Sequence, residues 1–305
     1  MRLPPILEEL RLRVEDGLAK HFITCSGPKL LKEAMGYSLF APGKRVRPIL
    51  LLAANALFPP NDLDPMPAAC AFEFVHTYSL IHDDLPAMDN DDFRRGRPTN
   101  HRRFGEAHAI LAGDGLLTEA FGLMASSWAS TIDPAVVQAI AELATAAGSG
   151  GMVGGQVLDV IETRRSLERA EIENVHLLKT GALIKAAVRC GAILGHAPQA
   201  ELAALTRYAH KIGLAFQVAD DILDVVGTKA ELGKSVGKDQ LQGKTTYVTL
   251  LGVDGGRRYA RQLTDDALRD LNIFRLGAEP LRAVAAFIAG STTEDETRLS
   301  APTSV

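Results

Sequence analysis

The sequence predicts an all-α fold, and three observations carry that prediction. Apolar residues recur three and four positions apart along most of the chain. Period-two alternation, the mark of a half-buried strand, is almost absent. Alanine, the strongest helix former, is abundant. In order, the periodic segments are "ILEELRLRVEDGLAKHF", "KLLKEAMGYSLF", "ILLLAANALF" and "PAACAFEFVHTYSLIHDD". They continue as "HAILAGDGLLTEAFGLMASSW", "PAVVQAIAELATAAG", "RAEIENVHLLKTGALIKAAVRCGAILG" and "QAELAALTRYAHKIGLAFQVADDILDVVG". With the less regular stretches between and after them, the periodicity amounts to about ten helices. Pro42-Gly43, Pro59-Pro60, Pro98, Asp133-Pro134 and Gly227 punctuate them. No gap is long enough for a second domain, so residues 1–290 are expected to form one domain. The polar tail, residues 291–305, is expected to be disordered.

Composition narrows the class. The chain has 305 residues, 47% hydrophobic and 23% charged, ample for a large core. A net charge of −4 argues against a nucleic-acid partner, which selects for a basic excess. Cys25, Cys70 and Cys190 are too few and too scattered for a disulfide framework, so a reducing, cytoplasmic setting is expected. The N-terminus carries charges throughout, unlike a signal peptide. No membrane span is expected either, since no run of about 18 apolar residues free of charge stands out.

Chemistry concentrates in two acidic clusters, each ending an apolar helical segment. The first holds Asp83, Asp84 and Asp89, and Pro86 predicts a turn that folds Asp89 back beside Asp83. The second holds Asp220, Asp221 and Asp224, with Gln217 on the same helix side. Either cluster alone reads equally well as a solvated helix end. Two of them, with cations nearby, suit hard divalent ions such as Mg2+ or Mn2+, which take carboxylate and phosphate oxygens. His82, beside Asp83, is left structural for the same reason.

The cations are Lys44 and Arg47 in "GKRVRP", where Pro48 is expected at the first position of a helix. A helix N-terminus with two cations suits a diphosphate. Arg94 and Arg95 are adjacent and so point apart, able to serve two anions. His76 shares a helix face with Asp83, about 10 Å away. Lys179 and Thr180 lie within a long apolar helix, where the lysine must either snorkel or meet an anion. Lys234 and Lys244 follow the second cluster. The glycines of "GSGGMVGGQVLD" fit no nucleotide fingerprint, which leaves helix bending or close packing, with Gln156 and Asp159 lining a cavity.

These motifs together resemble the trans-isoprenyl diphosphate synthases, closest to the bacterial short-chain type. "DDLPAMD" followed by "RRG", then "FQVADDILD", "GKRVRP", "LLKTGALI" and "GMVGGQVLD" match the family's landmarks in order, from about residue 25 to about 255. The resemblance implies an isoprenoid synthase-type helical bundle around a deep central cavity, usually a homodimer. It implies several Mg2+ ions held by Asp83 and Asp89, completed by Asp84 and by Asp220, Asp221 and Asp224. It assigns Arg94, Lys179, Thr180, Gln217 and Lys234 to the allylic diphosphate, with Lys179, Thr180 and Gln217 as catalytic candidates. It assigns Lys44, Arg47, His76 and Arg95 to isopentenyl diphosphate, with Lys244 a further substrate-binding candidate. Tyr78 and Ser79 are then chain-length positions. Tyr78 lies five residues before Asp83, about 7.5 Å down the helix, and an aromatic there halts growth at fifteen carbons in this family. The implied activity is head-to-tail condensation yielding farnesyl diphosphate, with geranylgeranyl diphosphate as the alternative product. A terpene cyclase, a non-catalytic partner subunit and a calcium-binding acidic protein are the competing readings. The C-terminus departs from the family, ending in an acidic stretch instead of a basic cluster.

Overall fold

The computed structural model describes residues 2–162, 168–226 and 245–292. Helix α1 runs Pro5–Phe22, α2 Lys29–Leu39, α3 Val46–Asn55 and α4 Met66–Asp83. A two-residue antiparallel ladder follows, β1 Phe93–Arg94 paired with β2 Arg97–Pro98. Then come α5 Asn100–Phe104, α6 Glu106–Ser127, α7 Pro134–Ala147, α8 Met152–Glu162 and α9 Arg169–His176. A π-helical turn, Leu177–Gly181, joins α9 to α10, Ala182–Leu194. Helices α11 Gln199–Val226, α12 Tyr247–Asp270 and α13 Glu279–Ser291 complete the described residues.

The all-α expectation holds, with local differences. The ladder was not expected from the sequence; it exists because "RRGR" is a tight hairpin. Arg95 and Gly96, its two loop residues, both take positive φ (53° and 76°), as the primed hairpin turns require. Helix α3 starts at Val46, so Pro48 is its third residue, not its first. First-turn amides lack helical partners anyway, which is why the proline is tolerated there. Elsewhere the ends obey local chemistry. Asp133 caps α7 by accepting from the Ala135 amide at 2.9 Å, and Thr246 caps α12.

The interior forms two apolar clusters. One gathers α4, α6 and α7; the other gathers α11, α12 and α13. Helix α10 divides them, turning Leu183, Ala187 and Cys190 to the first and Ile184, Val188 and Ala192 to the second. Because α10 is buried on nearly every side, it fixes α4 and α11 relative to one another. Against the expectation of none, α6 and the stretch Pro134–Ile161 are long and apolar enough by composition to cross a membrane. In the bundle α6 turns Ala109, Ala112, Leu116 and Ala120 inward, which accounts for its apolar character.

Candidate active site

Helix α4 is buried along most of its length and delivers two acids at its end, Asp83 as the last residue and Asp84 as the cap. The Asp89 amide donates to the Asp83 carbonyl at 2.8 Å and the Asp91 amide to the Asp84 carbonyl at 3.2 Å. The turn thus folds back as Pro86 suggests, setting Asp89 beside Asp83. Burial pushes the Asp83 carboxyl up to about 6, with Asp89 and Asp84 raising it further against the pull of Lys179 and Arg94. Arg94 grips Asp84, Nε at 2.7 Å and Nη2 at 2.6 Å from Oδ1. Arg95 turns the other way, to the Ala41 carbonyl at 3.5 Å.

A chain of polar contacts leads from this cluster to the second. On α8, Gln156 donates its amide to Asp83. One turn on, Asp159 pairs with Lys179 at 2.8 Å, so the mid-helix lysine meets an anion inside the chain. Burial opposes the lysine's charge, but Asp159 and Asp83 outweigh it and raise its pKa. Gly155 makes the approach possible: a Cβ there would lie 2.2 Å from the Lys179 amide nitrogen. Lys179 and Thr180 sit in the π turn, an irregularity that recurs at functional sites. Thr180 donates to Gln217 at 3.1 Å, and Gln217 to Asp221 at 3.0 Å. Asp221 also accepts from the Tyr247 amide at 2.9 Å, tying α12 to the second cluster.

The third side is cationic. Lys44 lies over the Phe287 ring of α13, 5.0 Å from its centroid. Burial lowers its pKa, partly offset by Asp220, so the second cluster lies within electrostatic reach. Arg47 is buried with its Nε unpartnered. Burial and then Arg95 hold its guanidinium down to about 10, against Glu73 and Asp220. Burial, then Arg47, Arg95 and Arg94, push the His76 imidazole well below its ordinary value. Such crowding of like charges favours an arriving anion.

Tyr78 is 6% exposed and meets the His82 ring edge-on at 5.6 Å. Ser79 donates to the His76 carbonyl, and His82 is bonded at 3.0 Å to the Ile110 carbonyl. Lys234 and Lys244 lie outside the described residues, as does the tail from residue 293. Sequence reasoning passed over Arg45, buried between Lys44 and Arg47 in the basic motif.

The chemistry of the donors suits a hard cation: Asp83 and Asp89 in one cluster, and Asp220 and Asp224 in the other, offer oxygen ligands alone. Asp224 is buried with its Oδ2 unpartnered, an acceptor left open. Asp83 and Asp84 also end a helix, where the macrodipole favours positive charge. Among the described residues no three acids, histidines or cysteines form a ready-made cage. Magnesium sites completed by substrate phosphates and water need none.

Comparison with known proteins then decides the family. The polyprenyl synthetase profile matches residues 28–272. The chain belongs to the polyprenyl synthetase family. This polyprenyl synthetase is 48% identical over 252 residues to the farnesyl diphosphate synthase of Geobacillus stearothermophilus, covering 82% of this chain and 85% of that one. It is 49% identical over 264 residues to the chloroplastic geranylgeranyl pyrophosphate synthase of Capsicum annuum, covering 86% and 72%. The crystal structure of the Legionella pneumophila geranyltransferase superposes with a TM-score of 0.83 at 34% identity, over 93% of this chain and 96% of that one. The synthetase is a prenyl-transferring enzyme of the head-to-tail condensing type, with the helical fold of that group. Identity alone does not separate farnesyl from geranylgeranyl products.

Proposed function

We propose that this synthetase condenses isopentenyl diphosphate with dimethylallyl and then geranyl diphosphate, and that farnesyl diphosphate is its main product. Tyr78 carries the product assignment: a buried aromatic on α4, five residues below Asp83 and braced by His82. Geranylgeranyl diphosphate is the second reading, favoured by the 49% identity to a synthase of that name. A terpene cyclase needs one diphosphate site, and the separate wall of Lys44, Arg47 and Arg95 speaks against it.

In this reading Asp83, Asp89, Asp220 and Asp224 hold Mg2+ ions, which when bound neutralise charge on the leaving diphosphate. Arg94 and Lys179, released from Asp84 and Asp159, take up the same developing charge. The carbon–oxygen bond of the allylic substrate breaks, and the oxygens of Thr180 and Gln217 face the resulting cation. The isopentenyl double bond, positioned by Lys44, Arg47 and Arg95, forms the new carbon–carbon bond. A proton passes to the departed diphosphate and restores a double bond. Water must stay out, since it would capture the cation as an alcohol. Lys234 and Lys244 belong to the same substrate shell by family likeness.

Purified protein with magnesium, labelled isopentenyl diphosphate and each of dimethylallyl, geranyl and farnesyl diphosphate tests both levels. The first two are expected to yield fifteen-carbon product and farnesyl diphosphate to remain unextended. Twenty-carbon product would transfer the assignment to the second reading. Cyclic hydrocarbon formed without isopentenyl diphosphate would discard both.

The working unit in this proposal is a homodimer in the cytoplasm. Val153, Val157, Val160 and Ile161 line an exposed apolar side of α8 that a second copy would cover. Cys25, Cys70 and Cys190 are buried and free, as suits a reducing compartment. Sedimentation at the mass of one 32.7 kDa chain would exclude the dimer.

A further inference from the structure

Between Lys44 and Arg47 lies an arginine whose guanidinium turns into the protein. Arg45 caps α3 from the left-handed region, φ 51° and ψ 39°, a backbone state that a long side chain keeps only where its surroundings dictate it. They do so through every arm of the guanidinium. Nη1 donates to Glu73 at 2.7 Å, Nε to Glu15 at 2.9 Å, and Nη2 to the carbonyls of Leu39 at 2.9 Å and Ala41 at 3.1 Å. Arg45 and Glu73 side chains are 1% and 2% exposed, and Glu15 is partly buried. One side chain therefore pins the turn between α2 and α3 onto both α1 and α4. Lysine, a single point charge, could not hold four such acceptors; a planar fork of five donors can.

The pinned turn is also where the substrate-facing cations meet. Lys44 precedes Arg45 in the chain, and Arg47 follows it by two residues. Arg95 reaches the same Ala41 carbonyl from the hairpin. Gly43 shows how tightly the two guanidiniums close on the turn: a Cβ there would lie 2.8 Å from Arg95 Nη1 and 3.3 Å from Arg45 Nη1. Glu73, one helical turn before His76, places its negative charge among Arg45, Arg47 and Arg95. A buried acid in that position lets three arginines share one corner before any anion arrives.

We infer that Arg45 is a positioning residue: through Glu15 and Glu73 it sets Lys44, Arg47 and Arg95 in register for isopentenyl diphosphate without itself meeting the substrate. The inference rests on reading those three cations as the isopentenyl diphosphate site, and the test separates the two. Steady-state kinetics are measured with each substrate varied in turn, for Lys44→Ala, Arg45→Met and Arg45→Lys. Arg45→Met is expected to raise KM for isopentenyl diphosphate on the order of tenfold, as small misplacement of binding groups does, with KM for geranyl diphosphate nearly unchanged. Arg45→Lys restores part of the loss. Should Arg45→Met not fold, the same selective rise, smaller, in Arg45→Lys carries the result. Equal effects on both KM values, or a fall in kcat alone, overturn the inference and leave Arg45 a support of the fold. Lys44→Ala with an unchanged KM for isopentenyl diphosphate overturns the site reading itself. A response in Lys44→Ala without one in either Arg45 variant overturns only the role of Arg45.

Discussion

In metal-free buffer at about pH 7.5, Asp83→Asn is expected to melt higher than the native chain, and in magnesium-containing assay buffer to turn over on the order of 10³-fold more slowly. Both effects come from one carboxylate. In the fold its pKa rises from 3.8 to about 6, first through burial and then through Asp89 and Asp84. A raised pKa means that the folded state binds the proton more tightly than the unfolded chain. The stability this supplies is complete below about 4 and is lost as pH climbs through about 6. Above that, the native chain carries a crowded charge that asparagine lacks, while an amide oxygen still accepts from Gln156. The side chain retains some solvent contact, so the gain is no more than about 2 kcal/mol, a few degrees in melting temperature. Calorimetry near pH 7.5 and again near pH 4.5, where the gap should close, checks it. Magnesium with inorganic diphosphate should reverse the order by stabilising the native chain alone. Identical melting in metal-free buffer would show that Asp83 carries no electrostatic strain.

Tyr78→Ala is expected to move most of the product from fifteen to twenty carbons. The ring is buried, and the His82 imidazole that meets it edge-on is fixed by the Ile110 carbonyl across the α4–α6 contact, so the obstruction is stiff. Truncation removes it about 7.5 Å below Asp83, deep enough for one further five-carbon unit. Large-to-small changes in a core ordinarily cost about 3–5 kcal/mol, part of which a longer product filling the void would offset. Chromatography of labelled products reads the shift directly. An unaltered distribution would make Tyr78 an ordinary core residue and reopen the choice between farnesyl and geranylgeranyl product.

Much of this was legible in the sequence because the signals were local. The 3.6-residue periodicity gave the helices, and Pro86 gave the return of Asp89 towards Asp83. Adjacent Arg94 and Arg95 had to diverge, and they do, one to Asp84 and the other to Ala41. Lys179 posed two outcomes, snorkelling or an anion; Asp159, twenty residues away, decides for the anion. Arg45 escaped notice because its carboxylates lie 30 and 28 residues distant on other helices, and no short window contains them. The irregular turn at Leu177–Gly181 escaped for another reason: Thr180 and Gly181 weaken a helix without saying how it will deviate, and only the bonding pattern marks the π turn. Pro48 misled by one half-turn, since a proline is acceptable anywhere in a first turn.

That irregular turn has a consequence for how this stretch can change over time. Each residue of a regular helix advances the side-chain direction by about 100°, so an extra residue resets the phase between α9 on one side and α10 on the other. With that phase Ile172 and Val175 before it are buried, and Leu183, Ala187 and Cys190 after it meet the first apolar cluster while Ile184, Val188 and Ala192 meet the second. Exchanging one apolar side chain for another there disturbs packing locally. Losing a single codon would swing one half of the stretch against the other and carry Lys179 or Thr180 away from its partner. The segment from 169 to 194 can drift in letters, but its count is frozen.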